Sequence, residues 1–305
     1  MLSGKGKGLV CGMIAAVTYG MNPLFALPLY QEGLDADSVL FYRYGLAIVL
    51  LGLLMKIKGV SFRITRKEVL PLILAGLVFS GSSLLLFLSY NYMDAGIAST
   101  ILFVYPVLVA LIMLICYHER ISFVVWGGII LAVSGIFMLS KGTNGASLSV
   151  MGLLFVMLSS LSYAMYIVGV NRSVLKDMPV MRLTFYALLF GFSIYVVRLH
   201  GVALLIPVHS VHGWINVLSL AILPTILSLY CTTFAIHHIG STITAILGAF
   251  EPVTALFIGV TLFHEPFTGR ILLGVTMVLV AVSLIILEKP VTKAIKYPLR
   301  KNHIE

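Results

Sequence analysis

Apolar runs of about 20 residues, separated by short polar segments, follow one another along most of the chain; a helix of that length crosses the ~30 Å hydrocarbon core of a bilayer. Ten runs meet this requirement: residues 8–29, 37–55, 69–89, 95–116, 122–140, 150–170, 180–199, 214–235, 240–262 and 268–287. No strand-like alternation of barrel type interrupts them, and an open sheet in lipid would leave its backbone polar groups unpaired. The pattern predicts an all-α polytopic membrane protein with ten transmembrane helices around a central cavity.

Composition narrows the class of protein in the same direction. The chain is 60% hydrophobic and only 10% charged, whereas soluble domains carry about 25% charged residues. A soluble enzyme, a DNA-binding protein and a disordered chain are therefore excluded. The net charge of +9 is spread over short loops and the C-terminal tail rather than one folded face, so we expect the lipid bilayer, and no nucleic acid, as a partner.

The sequence contains no residue pattern typical of a metal or cofactor site. The three cysteines are far apart in apolar runs, and the close histidine pairs, His209/His212 and His237/His238, lack a third plausible ligand. A Gly-rich phosphate loop of Walker type is absent. We expect no metal, no cofactor and no ATPase activity.

The distribution of Lys and Arg predicts how the chain is oriented. With the N-terminus in the cytoplasm and ten alternating spans, 16 Lys and Arg fall on the inner side and 3 on the outer side, with Arg43 inside a span. The positive-inside rule favours this orientation over its inverse. The first run continues to Leu29 without a cleavage site, so we expect a retained helix rather than a signal peptide. Both termini are predicted to be cytoplasmic, in a bacterial inner membrane.

The second half of the chain repeats the first. At an offset of 146 positions Pro106 meets Pro252, and the pair His118-Glu119 meets His264-Glu265. At an offset of 144 Tyr19 meets Tyr163. Each half holds five spans, an odd number, so the second half must enter the membrane from the opposite face. Such inverted repeats are typical of secondary transporters.

These residues carry a family resemblance. Tyr105-Pro106 followed by His118-Glu119-Arg120, and Glu251-Pro252 followed by His264-Glu265, resemble the EamA-type family of the drug/metabolite transporter superfamily. The resemblance implies a first repeat over residues 1–145, a second over 146–288 and a basic cytoplasmic tail over 289–305. It further implies a central cavity and the export or exchange of small metabolites, often amino acids. The family's usual small residue before the loop glutamate is a histidine here, at both positions.

Glu251 is an acidic residue at the middle of the ninth run. An ionised carboxylate at that depth costs about 2.5–3.5 kcal/mol, which suits a group that exchanges a proton or binds a substrate amine. The alternative is a structural hydrogen bond to backbone freed by Pro252, which lacks a helix donor. The sequence leaves both hypotheses open.

Arg43 lies about two helical turns inside the second run, and its guanidinium stays charged. It is a candidate for binding a substrate carboxylate or pairing with Glu251. Its shallow position also allows the side chain to reach the outer headgroups.

Other polar and helix-breaking residues complete the candidate site. Asn22-Pro23 interrupts the first run, and broken transporter helices expose polar backbone at their sites. Pro23, Pro106 and Pro252 are therefore candidate helix-breaking or gating residues. Tyr19 and Tyr163, matched between the halves, and Tyr105 are candidates for a pocket that binds substrate.

The sequence thus predicts a secondary active transporter, an exporter or exchanger of small organic metabolites such as amino acids or related amines. It would work by alternating access, with proton coupling through Glu251 as a hypothesis. The alternatives are a membrane-embedded enzyme acting on lipid or peptide and a non-transporting sensor. For the enzyme, no H-E-x-x-H sequence and no converging catalytic set are present. Whether the bundle is a monomer or a homodimer stays open.

Overall fold

The computed structural model describes residues 4–118, 122–140 and 149–296 and contains, within those ranges, α-helices, one π-helix and no strand. The helices are α1 (Gly4–Gly20), α2 (Asn22–Gln31), α3 (Ala36–Ile57), α4 (Arg66–Ser89), α5 (Ala95–Leu102), α6 (Tyr105–Tyr117), α7 (Phe123–Ser140), α8 (Val150–Asn171), α9 (Val180–Arg198), α10 (Val211–Ala221), α11 (Ser228–Leu247), α12 (Phe250–Leu262) and α13 (Gly269–Lys296), with the π-helix Ile222–Leu227 between α10 and α11.

Nine helical stretches among the described residues are long and apolar enough to cross a membrane. They coincide with nine of the ten predicted runs. The fifth run is also helical and apolar, but its stretch Phe123–Leu139 is shorter than the others. The all-helical membrane class is therefore confirmed, whereas the ten-span inverted repeat stays a prediction.

Polar residues fix where several helices begin and end. The Asp35 carboxylate accepts a hydrogen bond from the Ser38 N–H at the start of α3. Thr65 and Glu68 form a capping box at the start of α4, which satisfies two of the amides that a helix N-terminus leaves unpaired. These caps lie outside or at the ends of the apolar stretches, so they set the lengths of the spans.

Left-handed residues end two of the helices. His118 (φ 53°) follows α6 and His264 (φ 54°) follows shortly after α12. Glycine adopts this conformation without strain, and histidine is one of the few other residues enriched in it. The positive φ gives a physical reason why histidine is tolerated at these two matched positions.

Four spans are built from two helical segments each. Breaks lie between α1 and α2, between α5 and α6, at the π-helix between α10 and α11, and between α11 and α12. Gly240 (φ 82°, ψ 162°) bends α11 and divides it between two spans. Pro23, Pro106 and Pro252 each lie in the first turn of the segment after a break. The helices are therefore interrupted at all three predicted prolines, while their gating role stays a prediction.

The freed backbone carbonyls at two prolines have other donors. Pro106 leaves the carbonyl of Leu102 without its helical donor, and the Ser160 hydroxyl donates to it at 3.1 Å. Pro252 likewise leaves the carbonyl of Gly248, and the Glu251 backbone N–H donates to it at 2.9 Å. Such replacement partners make broken helices tolerable in a membrane.

Helix packing pairs the two halves of the chain in a symmetric way. α1 packs on α11 while α8 packs on α4, and α3 on α9, α5 on α12 and α7 on α13 join corresponding helices of the halves. Glycines bring some of these backbones close: a Cβ at Gly135 would lie 2.9 Å from the carbonyl oxygen of Gly274. Small residues at such contacts are typical of membrane helix pairs.

The predicted domain limits lie partly outside the described residues. The predicted boundary between residues 145 and 146 lies outside them, as do residues 297–305 of the predicted tail. The first part of that tail is helical, because α13 continues to Lys296.

Candidate functional site

A cavity of about 250 Å³ lies at the centre of the bundle. Four residues predicted from the sequence line it: Tyr19, Tyr105, Tyr163 and Glu251. They come from α1, α6, α8 and α12, so both halves of the chain contribute. The other lining residues are small, hydroxylated or aliphatic: Gly12, Ala15, Ala16, Leu102, Ser228, Leu229, Thr232, Ile236, Thr244, Ala245 and Gly248.

The break between α11 and α12 places Glu251 in the first turn of α12, at the wall of the cavity. Its carboxylate forms no hydrogen bond or ion pair with any described residue. The backbone that Pro252 frees is bonded by the Glu251 N–H instead, so the side-chain bond considered from the sequence is not formed. The carboxylate lines the cavity without a protein partner among the described residues.

Close packing holds the Glu251 backbone in place. A Cβ added to Gly20 would overlap the Glu251 carbonyl oxygen. Only glycine at position 20 lets α1 approach α12 this closely. The end of α1 thus fixes where the carboxylate enters the cavity.

The tyrosines form an aromatic wall. Tyr105 and Tyr163 meet edge to face with ring centroids 4.7 Å apart, a favourable arrangement for aromatic pairs. Tyr166 stacks on Tyr163 at 6.1 Å. Aromatic faces attract cations, so a carboxylate beside these rings makes an environment suited to a positively charged group.

Arg43 lies apart from the central cavity. Its Nε donates a hydrogen bond to the Thr225 hydroxyl at 3.1 Å, and its guanidinium carbon lies 5.5 Å from the centre of the Phe87 ring. The side chain is 6% exposed, so it lies inside the bundle rather than at the outer headgroups. It forms no ion pair with Glu251.

Asn22 is buried beside the cavity without lining it. Its Nδ2 donates to the backbone carbonyl of Tyr19 at 2.8 Å, which ties together the two sides of the break between α1 and α2. The Oδ1 atom is buried and has no hydrogen-bond partner. Asn22 therefore positions Tyr19 through the backbone.

Sequence reasoning missed the hydroxyls of α11. Ser228 and Thr232 line the cavity, and the Ser228 hydroxyl donates to the carbonyl of Ala15 at 2.9 Å. The two residues are four positions apart, and residues with that spacing share one face of a helix. This spacing in an apolar run was the signal that could have identified them.

A second polar cavity, which we call the outer vestibule, lies towards the ends of α2 and α12. It has a volume of about 400 Å³ and is lined by Leu27, Tyr30, Gln31, Tyr90, Asn91, Met93, Asp94, Ala95, Phe263 and Glu265. It shares no lining residue with the central cavity. Along α12, Glu251 and the end of the helix are separated by roughly 17 Å at 1.5 Å per residue.

The Glu265 carboxylate closes one side of the outer vestibule. Its Oε1 accepts a hydrogen bond from the Ala95 N–H at 2.8 Å, and its Oε2 accepts one from the Gly96 N–H at 3.2 Å. Burial raises the pKa of this carboxyl, although the two amide donors act in the opposite direction. Burial likewise raises the pKa of the neighbouring Asp94.

Comparison with known proteins now decides the family. The model of the EamA-like transporter family matches residues 6–141 and again residues 150–287. The chain belongs to the EamA-like transporter family. Its apolar helices and this membership make it an integral membrane protein, and the resemblance drawn from the two Pro…His-Glu segments is confirmed.

Curated relatives of this EamA-like protein are distant from it in sequence. It is 24% identical over 195 residues to "Uncharacterized transporter YdfC" of Bacillus subtilis, covering 63% of each chain. It is 25% identical over 210 residues to "Uncharacterized transporter sll1319" of Synechocystis sp., covering 67% of this chain and 63% of that one. The chain thus matches less than two thirds of the length of either relative.

A solved structure shares the fold. A crystal structure aligns with a TM-score of 0.67 over 94% of this chain and 98% of that chain. Sequence identity is 15%, so this similarity concerns the arrangement of helices alone.

Proposed function

We propose that this protein is a secondary active transporter, an exporter or exchanger, of small organic metabolites with a basic amine, with amino acids and related amines as the leading class. One observation carries the proposal: the Glu251 carboxylate faces the central cavity without a protein partner, beside Tyr19, Tyr105 and Tyr163. A substrate ammonium would bind Glu251 as counterion and the tyrosine faces through cation–π contacts. The hydroxyls of α11 add hydrogen bonds for a polar part of the substrate.

Proton coupling follows from the same carboxylate. A buried charge without a partner is unfavourable, so Glu251 is stabilised either by a proton or by a substrate ammonium. The two ligands then compete for one group. Such competition links substrate movement to a proton gradient without a further site.

Alternating access has support in the packing of the two halves. Ser228 donates to Ala15 where α11 meets α1, and Ser82 donates to the carbonyl of Ser159 where α4 meets α8 at 2.9 Å. These contacts correspond under the offsets of 146 and 144. Only the first pair lines the central cavity. An inverted repeat in which one such interface borders a cavity and its counterpart does not is the arrangement expected of one state in an alternating cycle.

The direction of the opening fits the predicted orientation. The cavity extends from Glu251 to Gly12 and Thr244, towards the end of the bundle where α1 begins. With the termini in the cytoplasm of a bacterial inner membrane, this state is inward-facing. The outer vestibule then lies on the opposite side, separated from the cavity by the stretch of α12 between Glu251 and Leu262.

Uptake into proteoliposomes tests the proposal. Purified protein is reconstituted and screened with labelled amino acids, amines and nucleosides, with and without an inside-acidic pH gradient. We expect saturable, gradient-dependent uptake of a compound that carries an amine. Glu251→Gln should abolish the response to the gradient, because the amide can neither release a proton nor act as a counterion.

A matched variant separates this role from a general effect of charge. Asp177 is an exposed acid in the segment between α8 and α9, and Asp177→Asn should transport like the wild type. Full gradient response in Glu251→Gln would contradict the coupling role. Absence of transport across the whole screen by folded protein would contradict the transporter proposal and favour the sensor or enzyme alternatives.

A further inference from the structure

A third cavity, which we call the lateral groove, lies between α9 and α11 with α3 beneath it. It has a volume of about 260 Å³, and its lining includes Leu51, Leu54, Thr184, Leu229, Tyr230 and Thr233. Leu229 is the single lining residue that it shares with the central cavity. The groove opens at the surface of the bundle, where Tyr230 is 46% exposed.

Most of the lateral groove offers apolar contacts. Thr225 and Thr233 line it, but the Thr225 hydroxyl donates to the carbonyl of Leu220 at 3.0 Å and the Thr233 hydroxyl to that of Leu229 at 2.9 Å. Their donors are therefore used within their own helices. An occupant of this part gains most by burying hydrocarbon.

The length of the lateral groove fits a lipid chain. It runs along its helix from Thr225 to His238, roughly 20 Å at 1.5 Å per residue. One leaflet of the bilayer contributes about half of the ~30 Å hydrocarbon core. A groove of this length on a membrane-facing surface matches an acyl chain that enters from the headgroup level of one leaflet.

A lysine side chain lies beside the lateral groove. The Lys58 Nζ atom lies 4.2 Å from the centre of the Tyr230 ring, which lines the groove. His237 and His238 line the groove further along α11 and are exposed. No acidic side chain lines the groove. A cation beside an apolar channel is complementary to a lipid with a negatively charged headgroup.

We propose that the lateral groove binds one acyl chain of an anionic phospholipid, with its headgroup phosphate at Lys58. The bound chain covers Thr225, whose hydroxyl accepts the Nε–H of Arg43. The lipid thereby closes the membrane side of the π-helix. The site is separate from the Glu251 cavity and does not depend on what the protein transports.

Native mass spectrometry of the full chain in detergent tests this site. Phosphatidylglycerol and phosphatidylcholine with identical acyl chains are titrated, and binding of the first lipid molecule is measured. We expect one phosphatidylglycerol bound in preference to phosphatidylcholine. Lys58→Gln should weaken that lipid about fivefold, the effect of one headgroup contact, and leave phosphatidylcholine unchanged.

Matched variants separate the groove from the rest of the surface. Thr233→Trp fills the groove and should abolish binding of this one lipid, whereas Thr276→Trp should not, since Thr276 is an exposed threonine on α13 with the same bond to its own helix, to Leu272. Lys67→Gln, at another exposed lysine at the start of α4, serves as the charge control.

Three outcomes would overturn the proposal. Equal affinity for the two lipids, together with no effect of Lys58→Gln, would show that the site does not select an anionic headgroup. Retention of the lipid by a monodisperse Thr233→Trp protein would place it elsewhere. A stable dimer that dissociates in Thr233→Trp, with no lipid bound, would assign the groove to a second copy of the chain.

Discussion

The hydroxyl of Ser228 donates a hydrogen bond of 2.9 Å to the backbone carbonyl of Ala15. Ser82 makes the corresponding bond to Ser159, also at 2.9 Å, in the other half of the chain. The same bond thus occurs at two helix pairs. The residues of the first pair line the central cavity, and those of the second do not. This relationship gives the most direct structural comparison between the two halves.

The serine pair predicts different effects for the same substitution. Ser228→Ala and Ser82→Ala should each cost about 0.6 kcal/mol of stability, the usual worth of a hydrogen bond between membrane helices. Only Ser228→Ala should also raise the KM for transport, because Ser228 lines the cavity. Thermal unfolding in detergent and uptake kinetics measure the two effects. Equal KM values in both variants would contradict the placement of Ser228 at the substrate.

The burial of the Glu265 carboxyl predicts that the stability of the protein depends on pH. Burial raises its pKa in the folded protein, so the folded state binds this proton more tightly than the unfolded chain does. Its contribution to stability is full below the unfolded pKa of about 4.3 and is lost as the pH rises through the folded value. The melting temperature of the wild type relative to Glu265→Gln should therefore fall as the pH is raised above about 4. A difference that is constant over this range would show that Glu265 does not titrate as a buried group.

The left-handed backbone at His264 predicts how substitutions there change the stability of the protein. Its φ of 54° is unfavourable for residues with a Cβ, and most of all for β-branched ones. His264→Gly should leave stability unchanged or raise it, and His264→Val should lower it by about 1–2 kcal/mol. His209, an exposed histidine outside the left-handed region, provides the control, since His209→Val should change little.

We expect substitution of Arg43 to impair transport without impairing insertion into the membrane. Its guanidinium is buried against Thr225 and Phe87, and a hydrogen bond from a charged group contributes about 1.5–3 kcal/mol. Arg43→Ala should lower the free energy of unfolding by about 1.5–3 kcal/mol and reduce transport, and Arg43→Lys should recover only part of both because the planar donor is lost. Membrane insertion is checked by fractionation. Unchanged uptake kinetics would rule out a role for Arg43 in transport.

The inverted repeat predicts opposite exposure of two matched positions. Cysteines placed at 119 and 265, in a chain whose Cys11, Cys116 and Cys231 are replaced by serine, should react with an impermeant maleimide from opposite faces of the membrane. Position 265 should react in intact cells and position 119 only after permeabilisation. Labelling of both from the same face would exclude the inverted arrangement of the halves.

Local sequence features predicted the helices and their interruptions. Each span is a run of apolar residues whose length alone suits a bilayer, and each central break lies next to a proline that cannot donate a helical hydrogen bond. Tyr19 and Tyr163 were found through the repeat, which is also a property of the chain. None of these inferences requires knowing which helices are neighbours.

The contents of the site depended on tertiary structure. A helix that is apolar all round has no polar stripe to show which face points inward, so depth in the membrane could be read for Arg43 and Glu251 but direction could not. Packing places Glu251 at the central cavity and Arg43 on Thr225 outside it. The sequence by itself determined that this protein is a helical membrane bundle with a duplicated pattern. The close approach of glycine- and serine-bearing helices decided which side chains share a cavity, because those contacts set how each helix is rotated.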